Sequence, residues 1–418
     1  MLHEIANQAS LLGERTLQWI SNAVERQLNG ERFMVANQTP YELILQQGLL
    51  SVRRYPALAE DYIQAGAEPR PVKRRQHKVP VVLVPPLAAD PLNFDLLPNR
   101  SLVRYLLAEG FRVYLVDFGS PDIDHSHLGL ADYTTRLLPQ ALRAVRADSG
   151  EQELSLLGYC MGGLFCLIYA GWSHDPGLRN IVTIASPIDA HQIGIAGRLM
   201  EAMNGPARLV RKLTPFRIHN IDPGRLLIPG WVSSLAFKLT NPLGTLQSYV
   251  DLLMNLWDRD YVIEHQTMAT WFNKMHAYPG GIVQDFVVQV GIDNELAAGR
   301  IRLGGRKQAL LDRIDCSMLA IAGKSDRIVT VEAARKVLDI VASRDKDFML
   351  APGGHAGVFA GSKAPATTWA HAAQWLAARS AGKPGRRAAR KEAAAKPGAG
   401  KRSAPRKDAA AARHRPRR

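Results

Sequence analysis

The 418-residue chain carries 53 Lys+Arg against 38 Asp+Glu, a formal net charge of +15, yet 14 of the cations and only two of the acids fall within residues 380–418. That places +12 on the last 39 residues and leaves +3 for residues 1–379, so the body is nearly neutral and the charge does not describe a nucleic-acid-binding fold. With 46% apolar and 22% charged residues, the chain has ordinary globular composition, and its body suffices for one large core or two smaller ones, which excludes a wholly disordered, collagenous or disulfide-stapled protein.

Residues 1–30 place Leu2, Ile5, Leu12, Ile20, Val24 and Leu28 at helical spacing with polar residues between them, so an amphipathic helix is expected within an N-terminal helical region over residues 1–70. Its apolar face needs a partner, either its own domain or another subunit or apolar surface. The first twenty residues mix acids into the apolar ones and lack both a basic start and an unbroken apolar stretch, so no secretory signal is read there. Three cysteines, Cys160, Cys166 and Cys316, are too few for a disulfide framework and favour a reducing compartment, the cytoplasm.

After Pro71 short β-rich runs alternate with helical stretches. The runs are PVVLV at 80–84, RVYLVD at 112–117, LSLLG at 154–158, IVTIAS at 181–186, SMLAIAG at 317–323 and DFML at 347–350. Such alternation predicts an α/β fold built on a mostly parallel sheet with helices on both faces. Residues 71–187 read as the first part of this core and 316–379 as the second. Between them, over 188–315, the strand signal lapses and Trp231, Tyr249, Trp257, Tyr261 and Trp271 occur in helical context, which predicts an inserted, mainly helical lid. Residues 154–173 are uncharged over 20 positions, but the internal GYCMGG reads as strand, sharp turn and buried helix, so no transmembrane segment is expected. Residues 380–418, rich in Ala, Lys, Arg, Pro and Gly and lacking Phe, Tyr, Trp and β-branched residues, read as a disordered basic tail.

The chemistry centres on Gly158-Tyr159-Cys160-Met161-Gly162, a G-x-nucleophile-x-G elbow with sulfur in place of hydroxyl. The start of the following helix favours a thiolate, and the Met161 backbone N–H can help hold an oxyanion. A second oxyanion donor is expected from the loop after the first core strand, at Leu87 or Ala88. In this fold an acid follows a later strand and a histidine follows the last one. SMLAIAG is followed by Lys324-Ser325-Asp326, and DFML by Ala351-Pro352-Gly353-Gly354-His355, so Asp326 and His355 complete a candidate triad with Cys160. Cys166 and Cys316 read as packing residues, Asp117 as a structural turn carboxylate and Ser325 as loop chemistry. No zinc spacing, P-loop or dinucleotide turn is visible, so a cofactor-free mechanism is expected. A thiolate exchanges acyl groups readily with thioesters, which points to an acyl-CoA substrate.

The stretches TPYELI, RRYP, VPVVLVPPLAADPLNFDLLPNRSLVRYLLAEGFRVYLVDFGSP, GYCMGG, NLWDRDYV, NELAAG, IAGKSDRIV and GGHAGV resemble the catalytic subunit of polyhydroxyalkanoate synthases, from Thr39 to Gly361. The resemblance implies an α/β-hydrolase core with a lid, a Cys160, His355, Asp326 triad, and polymerisation of 3-hydroxyacyl-CoA with release of CoA through a covalent thioester. It also implies a granule surface as partner, with a homodimer or a second synthase subunit left open. Phe118 stands where the family often has tryptophan, Arg327 where it commonly has histidine, and the basic tail is not part of the usual pattern. The alternatives are a thioesterase, esterase or polyester hydrolase with the same triad, or a granule or nucleoid tether whose residues 380–418 contact DNA or another polyanion nonspecifically.

Overall fold

A computed structural model of the protein describes residues 2–380. Eight strands form one sheet: β1 (Glu42–Gln47), β2 (Leu50–Tyr55), β3 (Val81–Val84), β4 (Val113–Asp117), β5 (Leu154–Tyr159), β6 (Leu178–Ile184), β7 (Ser317–Gly323) and β8 (Lys346–Ala351). Their spatial order is β1-β2-β4-β3-β5-β6-β7-β8. β2 pairs antiparallel with both β1 and β4, and every other pairing is parallel. All six runs read as strands in the sequence are strands in the sheet, to within three residues at either end.

The inner strands of the sheet are buried on both faces, and the strand period of two divides their residues between two cores. Val82, Val84, Tyr114, Val116, Leu154 and Leu156 point into one. Val81, Leu83, Val113, Leu115, Leu157 and Tyr159 point into the other. Helices cover these faces: α1 (Leu2–Asn29) stands apart, α2 (Leu102–Ala108) lies on the second core, and α3 (Leu138–Ser149) and α4 (Met161–Ser173) lie on the first. Every residue of α4 from Met161 to Gly171 is buried, as a helix that is apolar all round requires. No helix among the described residues is long and apolar enough to cross a membrane.

Two features differ from the sequence expectation. Residues 1–70 are not uniformly helical, because β1 and β2 form a hairpin whose turn is Gly48-Leu49, with Gly48 at φ +58° and Gln47 opposite Leu50. A two-residue turn opened by glycine in the left-handed region matches the twist of paired strands. The helical insertion is also narrower than 188–315. Helices α5 (Gly194–Leu213), α6 (Gly230–Leu239), α7 (Pro242–Met254) and α8 (Arg259–Asn273) form it, whereas Ile282, Val290, Leu296, Ile301, Leu311 and Ile314 are buried in the first core. α1 packs on the insertion, with Asn22 Nδ2 donating to the Leu256 carbonyl at 2.8 Å and Glu25 paired with Arg259 at 2.7 Å. The tail expected over 380–418 lies, beyond Ser380, outside the described residues.

Candidate active site

β5 ends at Tyr159 and α4 begins at Met161, leaving Cys160 alone on the turn with φ +51° and ψ −120°. A β-carbon-bearing residue in this region costs about 1–3 kcal/mol, so the fold must hold the turn tightly. It does so by close packing. A Cβ at Gly158 would lie 2.5 Å from Gly163 Cα, and one at Gly162 would lie 2.0 Å from the Val84 carbonyl oxygen. The two glycines of the elbow are therefore needed for strand, turn and helix to approach one another. The Cys160 N–H donates to the Ile184 carbonyl at 2.8 Å, and the Cys160 carbonyl accepts from Gly163 N at 3.1 Å.

The acid and the histidine arrive from the ends of β7 and β8. Their loops are stitched together: Lys324 N donates to Ala351 O at 2.8 Å and Ser325 N to Gly353 O at 3.1 Å. Gly353 takes φ +112°, and a Cβ on Gly323 would meet its carbonyl oxygen at 2.7 Å. This closeness brings His355 Nδ1 to 2.8 Å from Asp326 Oδ2, with both side chains buried. The other Asp326 oxygen accepts from Ile328 N at 2.8 Å and Val329 N at 2.9 Å, which fixes the carboxylate. The His355 side chain is also within hydrogen-bonding reach of Cys160. Burial alone would lower the His355 pKa, but charge on Cys160 and the hydrogen-bonded Asp326 together outweigh it and raise it above its ordinary value.

The remaining residues singled out in the sequence fall as follows. Met161 opens α4, and Leu87 and Ala88 sit buried in the loop after β3, with the Ala88 carbonyl accepting from His276 N at 2.8 Å. Neither the Met161 nor the Leu87 N–H is taken by another group among the described residues. Asp117 pairs with Arg53 at 2.8 Å and accepts from Gly119 N at 2.9 Å, a structural role. Cys166 is fully buried, and burial pushes its thiol pKa up. Phe118 meets Tyr133 and Phe165 edge to face, so it packs the core beneath the site.

Two tyrosines were not apparent from sequence. Tyr159 donates its hydroxyl to the His355 carbonyl at 3.2 Å and stacks on Phe359 at 4.1 Å, bracing the histidine from below. Tyr278 follows the insertion, and its hydroxyl pKa is raised first by burial and then by the charge on Cys160. Nothing in HAYPGG over 276–281 marks this tyrosine, whose backbone pairs with the distant Ile228.

A cavity of about 600 Å³ lies between the insertion and the loops after β7 and β8. Phe237, Met268 and Phe272 line its insertion side, and Arg327, Gly354 and His355 its core side. Among the described residues no group of three or more His, Cys, Asp or Glu is placed to hold a metal.

Residues 79–208 match the family model of the alpha/beta hydrolase fold. The chain is 28% identical over 344 residues to the poly(3-hydroxyalkanoate) polymerase subunit PhaC of Haloferax mediterranei, covering 82% of this chain and 65% of that one. It is 29% identical over 357 residues to the protein of the same name from Allochromatium vinosum, covering 85% of this chain and 93% of that one. Relative to the first, the chain spans just under two thirds of its length; relative to the second, nearly all. A solved monoacylglycerol lipase of Paleococcus ferrophilus aligns at 17% identity with a TM-score of 0.43, covering 73% of this chain and 96% of that one, a likeness too slight to add to the topology. The strand order, the elbow after β5 and the family-model match agree on an α/β-hydrolase fold, and over most of its length the chain is similar to these polyhydroxyalkanoate polymerase subunits.

Proposed function

We propose that the protein polymerises 3-hydroxyacyl units from CoA thioesters, with Cys160 as nucleophile, His355 as proton carrier and Asp326 as the carboxylate that orients it. The observation that carries this reading is a cysteine, rather than a serine, on the strained turn after β5, within reach of a histidine whose Nδ1 is committed to a buried carboxylate.

The Nδ1–H of His355 donates to Asp326, so its other nitrogen faces Cys160 and takes the thiol proton. The thiolate attacks the thioester carbonyl, and the N–H groups of Met161 and of Leu87 or Ala88 receive the oxyanion. Collapse expels the CoA thiolate, which leaves with the proton from His355, and the acyl group remains on Cys160 as a thioester. His355 then removes the proton from the 3-hydroxyl of an incoming unit or chain, whose oxygen attacks the acyl-enzyme and regenerates the thiolate. No group other than substrate is consumed, and the energy of the departing thioester drives the ester bond.

Exposed Leu11, Leu12 and Leu17 of α1 and Leu243, Leu246 and Leu253 of α7 support residence at the surface of polyester granules in the cytoplasm. The fourteen cations of residues 380–418 support nonspecific contact with a polyanion. Incubation of purified protein with 3-hydroxybutyryl-CoA tests the function. CoA release with accumulation of polyester is expected, and release of free 3-hydroxybutyrate alone would make the protein a hydrolase.

A further inference from the structure

The cavity beside His355 has an electrostatic character that the triad does not use. Three charged side chains line it, Lys238, Glu264 and Arg327, besides its histidines. Glu264 is neutralised by Arg100, with which it forms an ion pair. Lys238 contacts only the Asn273 amide, and Arg327 makes no hydrogen bond or ion pair among the described residues. Arg327 is exposed to the cavity from the loop after β7, one residue beyond Asp326, while Lys238 comes from α6 on the opposite, insertion side. Two uncompensated cations thus face one space that ends on the candidate proton carrier, and stacked Phe237 and Phe272, 5.0 Å apart, form part of its apolar wall.

An unpaired guanidinium lining a concave site is a recognition element for phosphate, which it grips through two parallel N–H groups, and an ammonium supplies a second point charge. The ligand that fits must be anionic at one end, carry apolar and amide surface along its length, and present a reactive carbonyl at the other. We infer that Arg327 and Lys238 bind the phosphate-bearing end of an acyl-CoA, so that this cavity is the entry for the thioester and Arg327 sets the preference for CoA over phosphate-free carriers. This rests on the acyl-CoA reading of Cys160 and adds the residues that select the carrier.

Binding of CoA and of pantetheine, which lacks the phosphates, is measured by calorimetry for the wild type, Arg327→Gln, Arg327→Lys and Lys238→Gln, alongside KM for the 3-hydroxybutyryl thioesters of both carriers. The wild type is expected to bind CoA more tightly than pantetheine, and Arg327→Gln to reduce that preference roughly tenfold, the scale of a charge-assisted hydrogen bond. Arg327→Lys is expected to recover part of it and Lys238→Gln to lose less than Arg327→Gln. A preference left intact in Arg327→Gln, equal losses toward both carriers, or a wild type that binds the two alike would overturn the assignment. If neither thioester is turned over, the polymerase reading fails, while the calorimetry still decides whether the cations hold CoA.

Discussion

The sheet and the insertion treat their side chains in opposite ways. At the ends of β5, β7 and β8, Asp326 and His355 are only 8% exposed, and glycines without room for a β-carbon hold the turns. In the insertion, Leu213 is 71% exposed, Leu243 78% and Met254 72%. The contrast separates two tasks. Chemistry needs atoms placed to within fractions of an ångström, which a doubly covered parallel sheet supplies; under the proposed function, admission of substrate and contact with a water-insoluble product need apolar surface, which a thin helical layer can leave uncovered.

The largest effect that would sharpen this division belongs to the elbow itself. Cys160→Ala is expected to lower CoA release by roughly 10⁴-fold or more, the scale on which a covalent nucleophile is lost, while leaving the melting temperature within a few degrees of wild type. Retained turnover would move the chemistry off the sheet. Next comes Gly162→Ala, whose added methyl would meet the Val84 and Pro85 carbonyl oxygens at 2.0 and 2.8 Å. It is expected to cost about 1–3 kcal/mol of stability by urea unfolding and to lower turnover as well, since the turn that presents Cys160 must shift. A neutral result would mean that the packing around the elbow is looser than the distances require. The smallest effect concerns the other region. Leu243→Ser with Leu246→Ser, both exposed on α7, should weaken co-sedimentation with polyester particles by a fewfold without changing CoA release from a soluble acceptor. Equal losses in both measurements would erase the distinction between the two regions.

The division also explains which parts of the molecule were legible in the sequence. The inner parallel strands are legible as short apolar runs because strands buried on both faces are largely apolar, edge strand β8 is legible only from Phe348, Met349 and Leu350 beside its exposed Lys346 and Asp347, and the elbow, Asp326 and His355 followed from their places after three of those runs. β1 and β2 were overlooked, although Gly48 between ELILQQ and LLSVRRY is a hairpin signal, because their exposed and charged positions break the apolar run. The boundary of the insertion was placed too late, since the segments after Asp285 return to the core in irregular helix and short hairpin rather than in strands of the sheet. Tyr278 and the unpaired Arg327 and Lys238 depend on contacts between distant segments, and no local pattern encodes those.

The central claim is that acyl transfer passes through a thioester on Cys160. Rapid quenching with 3-hydroxybutyryl-CoA, followed by peptide mass spectrometry, tests it directly. A hydroxyacyl adduct on the peptide bearing Cys160, absent from Cys160→Ala and accumulating in Asp326→Asn, is the expected result. CoA release without any adduct at Cys160, or an adduct at another residue that persists in Cys160→Ala, would contradict it.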